Sequence, residues 1–142
     1  MGVHRILVTT DFSAPARVAL IVAKDLAERY EAHLTVLHVD EHKSSFPESI
    51  LPRKTQRAAG PPERLRSRLG DEAALAGVMP DELAVVRDRS AADAILDYAG
   101  AHSIDLIVIA SLGHSALERL LIGSVAERVV RHARCGVLTV RS

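Results

Sequence analysis

The residues with the clearest capacity for chemistry lie between Asp105 and Ser124, in the sequence DLIVIASLGHSALERLLIGS. An apolar run over 106–110 ends in a small polar turn that contains Gly113, and nine residues separate this glycine from Gly123. A glycine lets backbone N–H groups approach a ligand without a Cβ in the way. The N-terminus of a helix adds unpaired N–H donors and the positive end of a dipole. The stretch therefore predicts a phosphate-binding turn.

Purely structural roles could also account for Gly113 and Ser124. Gly113 is also suited to end a strand, and Ser124 with Glu127 forms the S-x-x-E pattern of a capping box. The sequence holds no G-x-x-x-x-G-K-[ST] loop and no G-x-G-x-x-G after the first apolar run, so neither a common ATPase loop nor a dinucleotide site is predicted. Spacing alone leaves phosphate binding and helix capping both open.

Asp11 is the second candidate, because it follows the first apolar run of the chain. Its carboxylate could accept hydrogen bonds from ribose hydroxyls or hold a metal ion. It could equally order its own turn, as aspartate often does. Both interpretations stay open.

Other side chains that could do chemistry have less support. The seven histidines are scattered along the chain, so no dedicated metal site is predicted, although His114 could meet a phosphate oxygen. Cys135 precedes an apolar strand and is interpreted as a small core residue. There is no G-x-S-x-G elbow, and no side chain stands out as a general base for water. No catalytic residue is predicted.

The elements that must position these residues alternate between strand and helix. The apolar patterns predict strands over 4–10, 33–39, 83–87, 104–110 and 136–141, and helices over 14–31, 62–76, 91–102 and 124–133, with a short helical turn over 116–121. Residues 40–61, with three prolines, are the one long irregular connection. The alternation predicts a largely parallel sheet with right-handed crossovers. Ligands bind such sheets beyond the carboxyl ends of the strands, where the winding direction reverses.

Composition narrows the possible partners. The chain has 142 residues, 48% of them hydrophobic and 25% charged, which is typical of a globular domain. Lys plus Arg equals Asp plus Glu at 18 each, and the aromatics are two Phe and two Tyr, so a nucleic-acid partner is not expected. The single cysteine and the lack of a long apolar run lead us to expect a cytoplasmic protein without a membrane partner.

Three segments resemble the universal stress protein family, and the resemblance covers essentially the whole chain. They are ILVTTDFS near the N-terminus, LTVLHV in the second strand, and DLIVIASLGHSALERLLIGSVAERVVRHARCGVLTV. The resemblance implies one domain over 1–142 with a Rossmann-like α/β fold, an open five-stranded parallel sheet in the order 3-2-1-4-5 with helices on both faces. It also implies a homodimer paired through the last strand, and ATP in the crevice between strands one and four, with Mg²⁺ or Mn²⁺ bridging the phosphates.

The nucleotide-binding members of the family carry glycine, two residues, glycine, nine residues, glycine, then Ser or Thr. Carried over to this sequence, the resemblance implies that Asp11 meets the ribose or the phosphates and that the backbone of Val39 meets the adenine edge. The full implied binding set is Thr10, Asp11, Val39, Ala110, Gly113, His114, Ser115, Gly123, Ser124 and Val125.

Several positions depart from the family pattern. Ala110 stands at the first glycine, and His114 stands where an arginine is common. The usual glycine, acid, proline after strand three is here Arg89, Ser90 and Ala91, and Arg89 could crowd a nucleotide or bind its phosphates. The sequence leaves these two outcomes open.

The resemblance implies an ATP-binding regulatory module of the stress response. Binding would order residues 40–61 or alter the dimer face, and an unknown protein partner would detect the change. Two alternatives are a dimeric scaffold of the same fold that binds no ligand, and a slow ATPase. The sequence does not separate ATP from AMP or cyclic AMP.

Overall fold

A computed structural model describes residues 2–41, 63–112 and 122–141. Its strands are β1 (Arg5–Thr9), β2 (His33–Glu41), β3 (Glu82–Asp88), β4 (Leu106–Ala110) and β5 (Gly136–Val140). Its helices are α1 (Ala14–Tyr30), α2 (Glu63–Leu75), α3 (Ala91–Ala101) and α4 (Ser124–His132).

All five strands form one parallel sheet in the order β3-β2-β1-β4-β5. The chain winds from β1 outward to β3, then crosses back so that β4 lies on the other side of β1. The winding direction therefore reverses between β1 and β4, and the predicted fold and strand order are confirmed.

In the part of the chain that the structure describes, two helices cover each face of the sheet. Ile6, Val8 and Val36 point to the face that packs against α1 and α2, where Leu20 and Leu69 complete the core. The opposite face carries side chains that pack against α3 and α4, among them Leu7, Leu37, Ile95, Ile107 and Val129. Because both faces are covered, the strands read as nearly continuous apolar runs in the sequence.

Local signals fix the ends of two helices. The Ser13 hydroxyl caps α1 by accepting a hydrogen bond from the N–H of Ala16 at 3.3 Å, and Pro15 lies in the first turn, where its missing N–H is not needed. At the end of α2, Gly77 has φ +70°. The N–H of the following Val78 donates to the carbonyl of Ala73 at 2.8 Å, as in a Schellman motif.

The structure corrects several predicted boundaries. β2 continues to Glu41, so residues 40 and 41, predicted as irregular, belong to a strand that pairs with β3. β4 begins at Leu106 rather than at 104, because the N–H of Ile104 still bonds to the carbonyl of Ala99 and closes the end of α3. The short helical turn over 116–121 lies outside the described residues.

Candidate functional site

A cavity of about 300 Å³ lies beyond the carboxyl ends of β1 and β4, where the winding direction reverses. This volume is at the lower end of the range for small-molecule sites. The described residues that line it are Thr9, Thr10, Asp11, Ala16, Val39, Glu41, Ala91, Ile95, Ile109, Ala110, Ser111, Leu112, Gly123, Ser124, Val125 and Ala126. Seven of the ten residues predicted for the site are among them, and the other three, Gly113, His114 and Ser115, lie outside the described residues.

The turn after β1 is ordered by its own side chains. The Thr10 hydroxyl accepts a hydrogen bond from the N–H of Phe12, and the Asp11 carboxylate accepts one from the N–H of Ser13, both at 3.0 Å. Asp11 therefore orders its turn, as one of the two interpretations predicted. It also lines the cavity, so this role does not remove it from the site.

The pairing of β2 with β1 explains why the backbone of Val39 faces the cavity. In a parallel strand the peptide groups of alternate residues point to the same side, and the carbonyl of Leu37 points toward β1, where it accepts the N–H of Thr10 at 2.9 Å. The peptide groups of Val39 point to that side too. Because β1 ends at Thr9, Val39 presents its N–H and carbonyl beyond the end of the neighbouring strand.

Gly123 holds the start of α4 against the end of β4. Its N–H donates to the carbonyl of Ser111 at 2.6 Å, and the N–H of Ser111 in turn donates to the carbonyl of Val140 at 2.9 Å. A Cβ at position 123 would lie 3.2 Å from the carbonyl oxygen of Ser111, closer than ordinary contact. Glycine is needed here for a close approach between two backbone segments.

The capping box, one of the two interpretations of Ser124, does not form at the start of α4. Gly123, with φ −65° and ψ 155°, is the N-cap, and it makes no side-chain cap hydrogen bond. Ser124 is the first helical residue, and the N–H of Glu127 donates to the carbonyl of Gly123 at 2.9 Å. The contact with Ser111 places Gly123 at the cap and moves Ser124 into the first turn, beside the cavity.

Two residues that depart from the family pattern, Ala110 and Arg89, lie differently with respect to the cavity. Ala110 is the last residue of β4, in register with Val140, so its position requires strand geometry, and it lines the cavity. Arg89 is absent from the described residues that line the cavity, while Ala91, two positions later, is present. The N–H of Arg89 donates to the buried carboxylate of Asp88 at 2.7 Å.

Glu41 lines the cavity but was missed in the sequence. Ser111 also lines it and lies in the polar turn that the sequence predicted to bind phosphate. Glu41 was missed because β2 was expected to end at Val39. With Asp11 and Glu41, the β1 and β2 side of the cavity is acidic, whereas the α4 side offers the N-terminus of a helix.

The remaining chemical candidates lie away from the cavity or are unsupported. Cys135 comes directly before β5, at the amino ends of the strands, whereas the cavity lies at their carboxyl ends. Burial raises the pKa of its thiol, as expected of a packed residue. Over residues 2–41, 63–112 and 122–141, no three or more His, Cys, Asp or Glu side chains are grouped to hold a metal ion. None of the described helices is long and apolar enough to cross a membrane.

An open, doubly wound parallel sheet with a cavity at its switch point defines a class of α/β proteins that bind ligands in this crevice. Within that class, the family model for the universal stress protein family matches residues 2–141. A universal stress protein of Thermus aquaticus is 37% identical over 141 residues, covering 96% of this chain and 97% of the relative. The chain belongs to the universal stress protein family.

Solved structures agree on the fold. A universal stress protein in complex with cAMP superposes with a TM-score of 0.70 at 23% identity, over 99% of this chain and 98% of that one. A universal stress protein from Archaeoglobus fulgidus in complex with dAMP superposes with a TM-score of 0.63 at 23% identity, over 98% of both chains.

Proposed function

We propose that this chain binds an adenine nucleotide, and specifically ATP, in the cavity between β1 and β4. The observation that carries the proposal is the convergence of the predicted residues on one cavity. Seven of them, from the ends of β1, β2 and β4 and from the start of α4, line the same space. The cAMP and dAMP complexes of two structural neighbours support the choice of an adenine nucleotide.

The two sides of the cavity suggest one orientation for the nucleotide. The exposed peptide groups of Val39 suit the hydrogen-bonding edge of adenine, and the carboxylate of Asp11 suits ribose hydroxyls as an acceptor. The phosphates then lie toward Gly123, where the N–H groups in the first turn of α4 and the helix dipole favour negative charge. Bound Mg²⁺ or Mn²⁺ would bridge the phosphates and neutralise part of their charge.

We further propose that the chain acts as a homodimer paired through β5 and that nucleotide binding regulates a protein partner in the stress response. In the described sheet β5 pairs with β4 alone, so its other edge is open. Leu138 on β5 and Val130 on α4 are 37% and 47% exposed. An open strand edge beside exposed apolar side chains favours pairing with a second copy.

Mass spectrometry of the nucleotide released from freshly purified protein, combined with calorimetric titration of ATP, AMP and cAMP, tests the ligand. We expect ATP to bind, and Asp11→Asn to weaken the binding at least tenfold, about 1.4 kcal/mol, because a carboxylate acceptor at the ribose is lost. Asp25→Asn is the matched control, since Asp25 forms an exposed ion pair with Arg29 near the far end of α1.

Absence of released nucleotide, together with no heat at millimolar ATP, would contradict nucleotide binding and favour the scaffold alternative. The dimer is tested separately by light scattering. Leu138→Lys should convert the dimer to a monomer, because a charge would be buried at the strand edge. A wild-type protein that is monomeric at all concentrations would contradict the proposed dimer and leave nucleotide binding unaffected.

A further inference from the structure

Phe12, in the middle of the turn that carries Asp11, has an unusual backbone conformation. Its φ is +67°, in the left-handed region that a bulky side chain rarely adopts. Such a conformation persists only where the surroundings hold it in place. The contacts of the Phe12 ring therefore help to fix the turn, together with the hydrogen bonds to Thr10 and Asp11.

Among the described residues, the side chains of Arg68 and His38 contact the Phe12 ring, which also packs against the apolar core. The guanidinium carbon of Arg68, on α2, lies 4.0 Å from the centre of the Phe12 ring, in a cation–π contact. The His38 ring, on β2, lies 4.4 Å from it, centre to centre, at an angle of 49°. We call Arg68, Phe12 and His38 the ring clamp.

Hydrogen bonds connect the ring clamp to the turn that carries Asp11. Nδ1 of His38 lies 2.8 Å from the carbonyl oxygen of Thr10, and the N–H of Phe12 donates to the Thr10 hydroxyl at 3.0 Å. The next N–H, that of Ser13, donates to Asp11. None of the three clamp residues lines the cavity, so the clamp acts on a ligand through the turn and not by direct contact.

The helix that supplies Arg68 is itself fixed to the core. Leu69 and Ala73 of α2 are buried against the sheet and α1. The carboxylate of Glu72 is also buried, and it accepts two hydrogen bonds from the guanidinium of Arg17 on α1, at 2.8 and 3.1 Å. Helix α2 is thus fixed to the core and reaches the turn of Asp11 through Arg68.

We propose that the ring clamp makes α2 a positioning element for the nucleotide site: it sets the geometry of the Asp11 turn and, through it, the affinity for the nucleotide. This inference rests on the proposed function. Coupling between two sites is reciprocal, so nucleotide binding must also stabilise the docking of α2. Helix α2 is then the place where occupancy of the cavity becomes visible to a partner.

The structural half of the proposal is tested without a ligand, by residue-resolved hydrogen exchange of the Phe12 and Ser13 amides. An exposed cation–π contact is worth about 0.5–1 kcal/mol, so Arg68→Ala should speed their exchange about two- to fivefold. Arg68→Lys, which keeps a cation, should restore part of the protection. Arg64→Ala is the matched control, because it removes the same charge from an exposed position one turn earlier on α2.

A second variant tests the link to Thr10. His38→Phe keeps a ring against Phe12 but removes the contact of Nδ1 with the Thr10 carbonyl, and it should also speed exchange at Phe12. Unchanged exchange in both Arg68→Ala and His38→Phe would overturn the ring clamp, whatever the protein binds.

The functional half is tested by titrating ATP into the same variants. We expect Arg68→Ala to weaken ATP about two- to fivefold relative to Arg64→Ala, and ATP to slow amide exchange in α2 of the wild type but less so in Arg68→Ala. Faster exchange at Phe12 with unchanged ATP affinity would overturn the coupling. If the wild type binds no nucleotide, the proposed function fails, while the exchange experiment still decides the clamp.

Discussion

Gly123→Ala tests the close approach between the start of α4 and the end of β4. The new Cβ would lie 3.2 Å from the carbonyl oxygen of Ser111 and 3.8 Å from Cα of Leu112. These are backbone atoms, and the Ser111 peptide is tied to Val140 and to Gly123 itself by hydrogen bonds of 2.9 and 2.6 Å. The obstructing atoms therefore cannot move aside as a flexible side chain would.

Three effects determine the size of the change. Overpacking against a fixed backbone costs about 1 kcal/mol or more, and alanine is a poorer N-cap than glycine by about 0.5–1 kcal/mol. Alanine can adopt φ −65° and ψ 155°, and it reduces the conformational entropy of the unfolded chain. This effect stabilises the folded protein by about 0.4–1 kcal/mol. We expect a net loss of about 1–2 kcal/mol, or about 3–8 °C in Tm for a chain of this length, and weaker ATP binding.

Thermal and urea unfolding of Gly123→Ala and Gly100→Ala measure this prediction against a matched control. Gly100 lies within α3, and a Cβ there would meet nothing within 4 Å. Gly100→Ala should therefore gain about 0.5–1 kcal/mol from helix propensity. If Gly123→Ala is as stable as the wild type while Gly100→Ala gains stability, the backbone approach at Ser111 is not tight and the reasoning is refuted.

Three further predictions each concern the local structure around one residue. Glu31 ends α1 with φ +52°, so Glu31→Gly should raise the free energy of unfolding by about 1 kcal/mol, and an unchanged Tm would contradict left-handed strain there. Two backbone N–H groups hold the pKa of Asp105 below its usual value, so its contribution to stability is present above about pH 4 and is lost as the pH falls through the lowered pKa. Asp105→Asn should flatten this acid dependence in urea titrations at several pH values, and an unaltered pH profile would contradict it. Arg17→Met should lower the free energy of unfolding in urea more than Lys24→Met does, because it leaves the carboxylate of Glu72 buried without its partner. Lys24, by contrast, forms an exposed ion pair with Glu28 at 3.6 Å. Equal losses of stability in the two variants would contradict this.

The sheet could be predicted from the sequence because every strand is a short apolar run and every crossover carries a helix. The large apolar residues of α1 do not by themselves reveal which face of this helix is buried. Val18, Ile21, Val22 and Leu26 recur at helical spacing, yet Ile21 is 49% exposed. The residues buried against the sheet are mostly alanines, which a pattern of large apolar residues does not reveal: Ala16, Ala19, Leu20, Ala23 and Ala27. Small side chains let the helix lie close to the strands.

The candidate site was predictable where one element supplied the signal. Asp11 and Gly123 follow directly from a strand end and from a helix start. The sequence could not decide whether Ser124 caps α4, because the deciding contact of Gly123 is with Ser111, twelve positions earlier. The ring clamp was not predictable either, since it joins residues of α2, β2 and the β1 turn that only the folded sheet brings together.

The charge distribution around the cavity limits how a nucleotide can lie in it. Asp11 and Glu41 are acceptors, and no lysine or arginine is among the described residues that line the cavity. A triphosphate placed on their side would meet like charge, at a cost that a low-dielectric crevice increases. Peptide N–H groups and the dipole of α4 provide the favourable side. Ala110, which stands at the first glycine of the family pattern, packs its side chain toward the face of the sheet that carries α1 and α2, away from α4. The departure from glycine therefore leaves the α4 side open, and this is the side on which we expect the phosphates of a bound nucleotide.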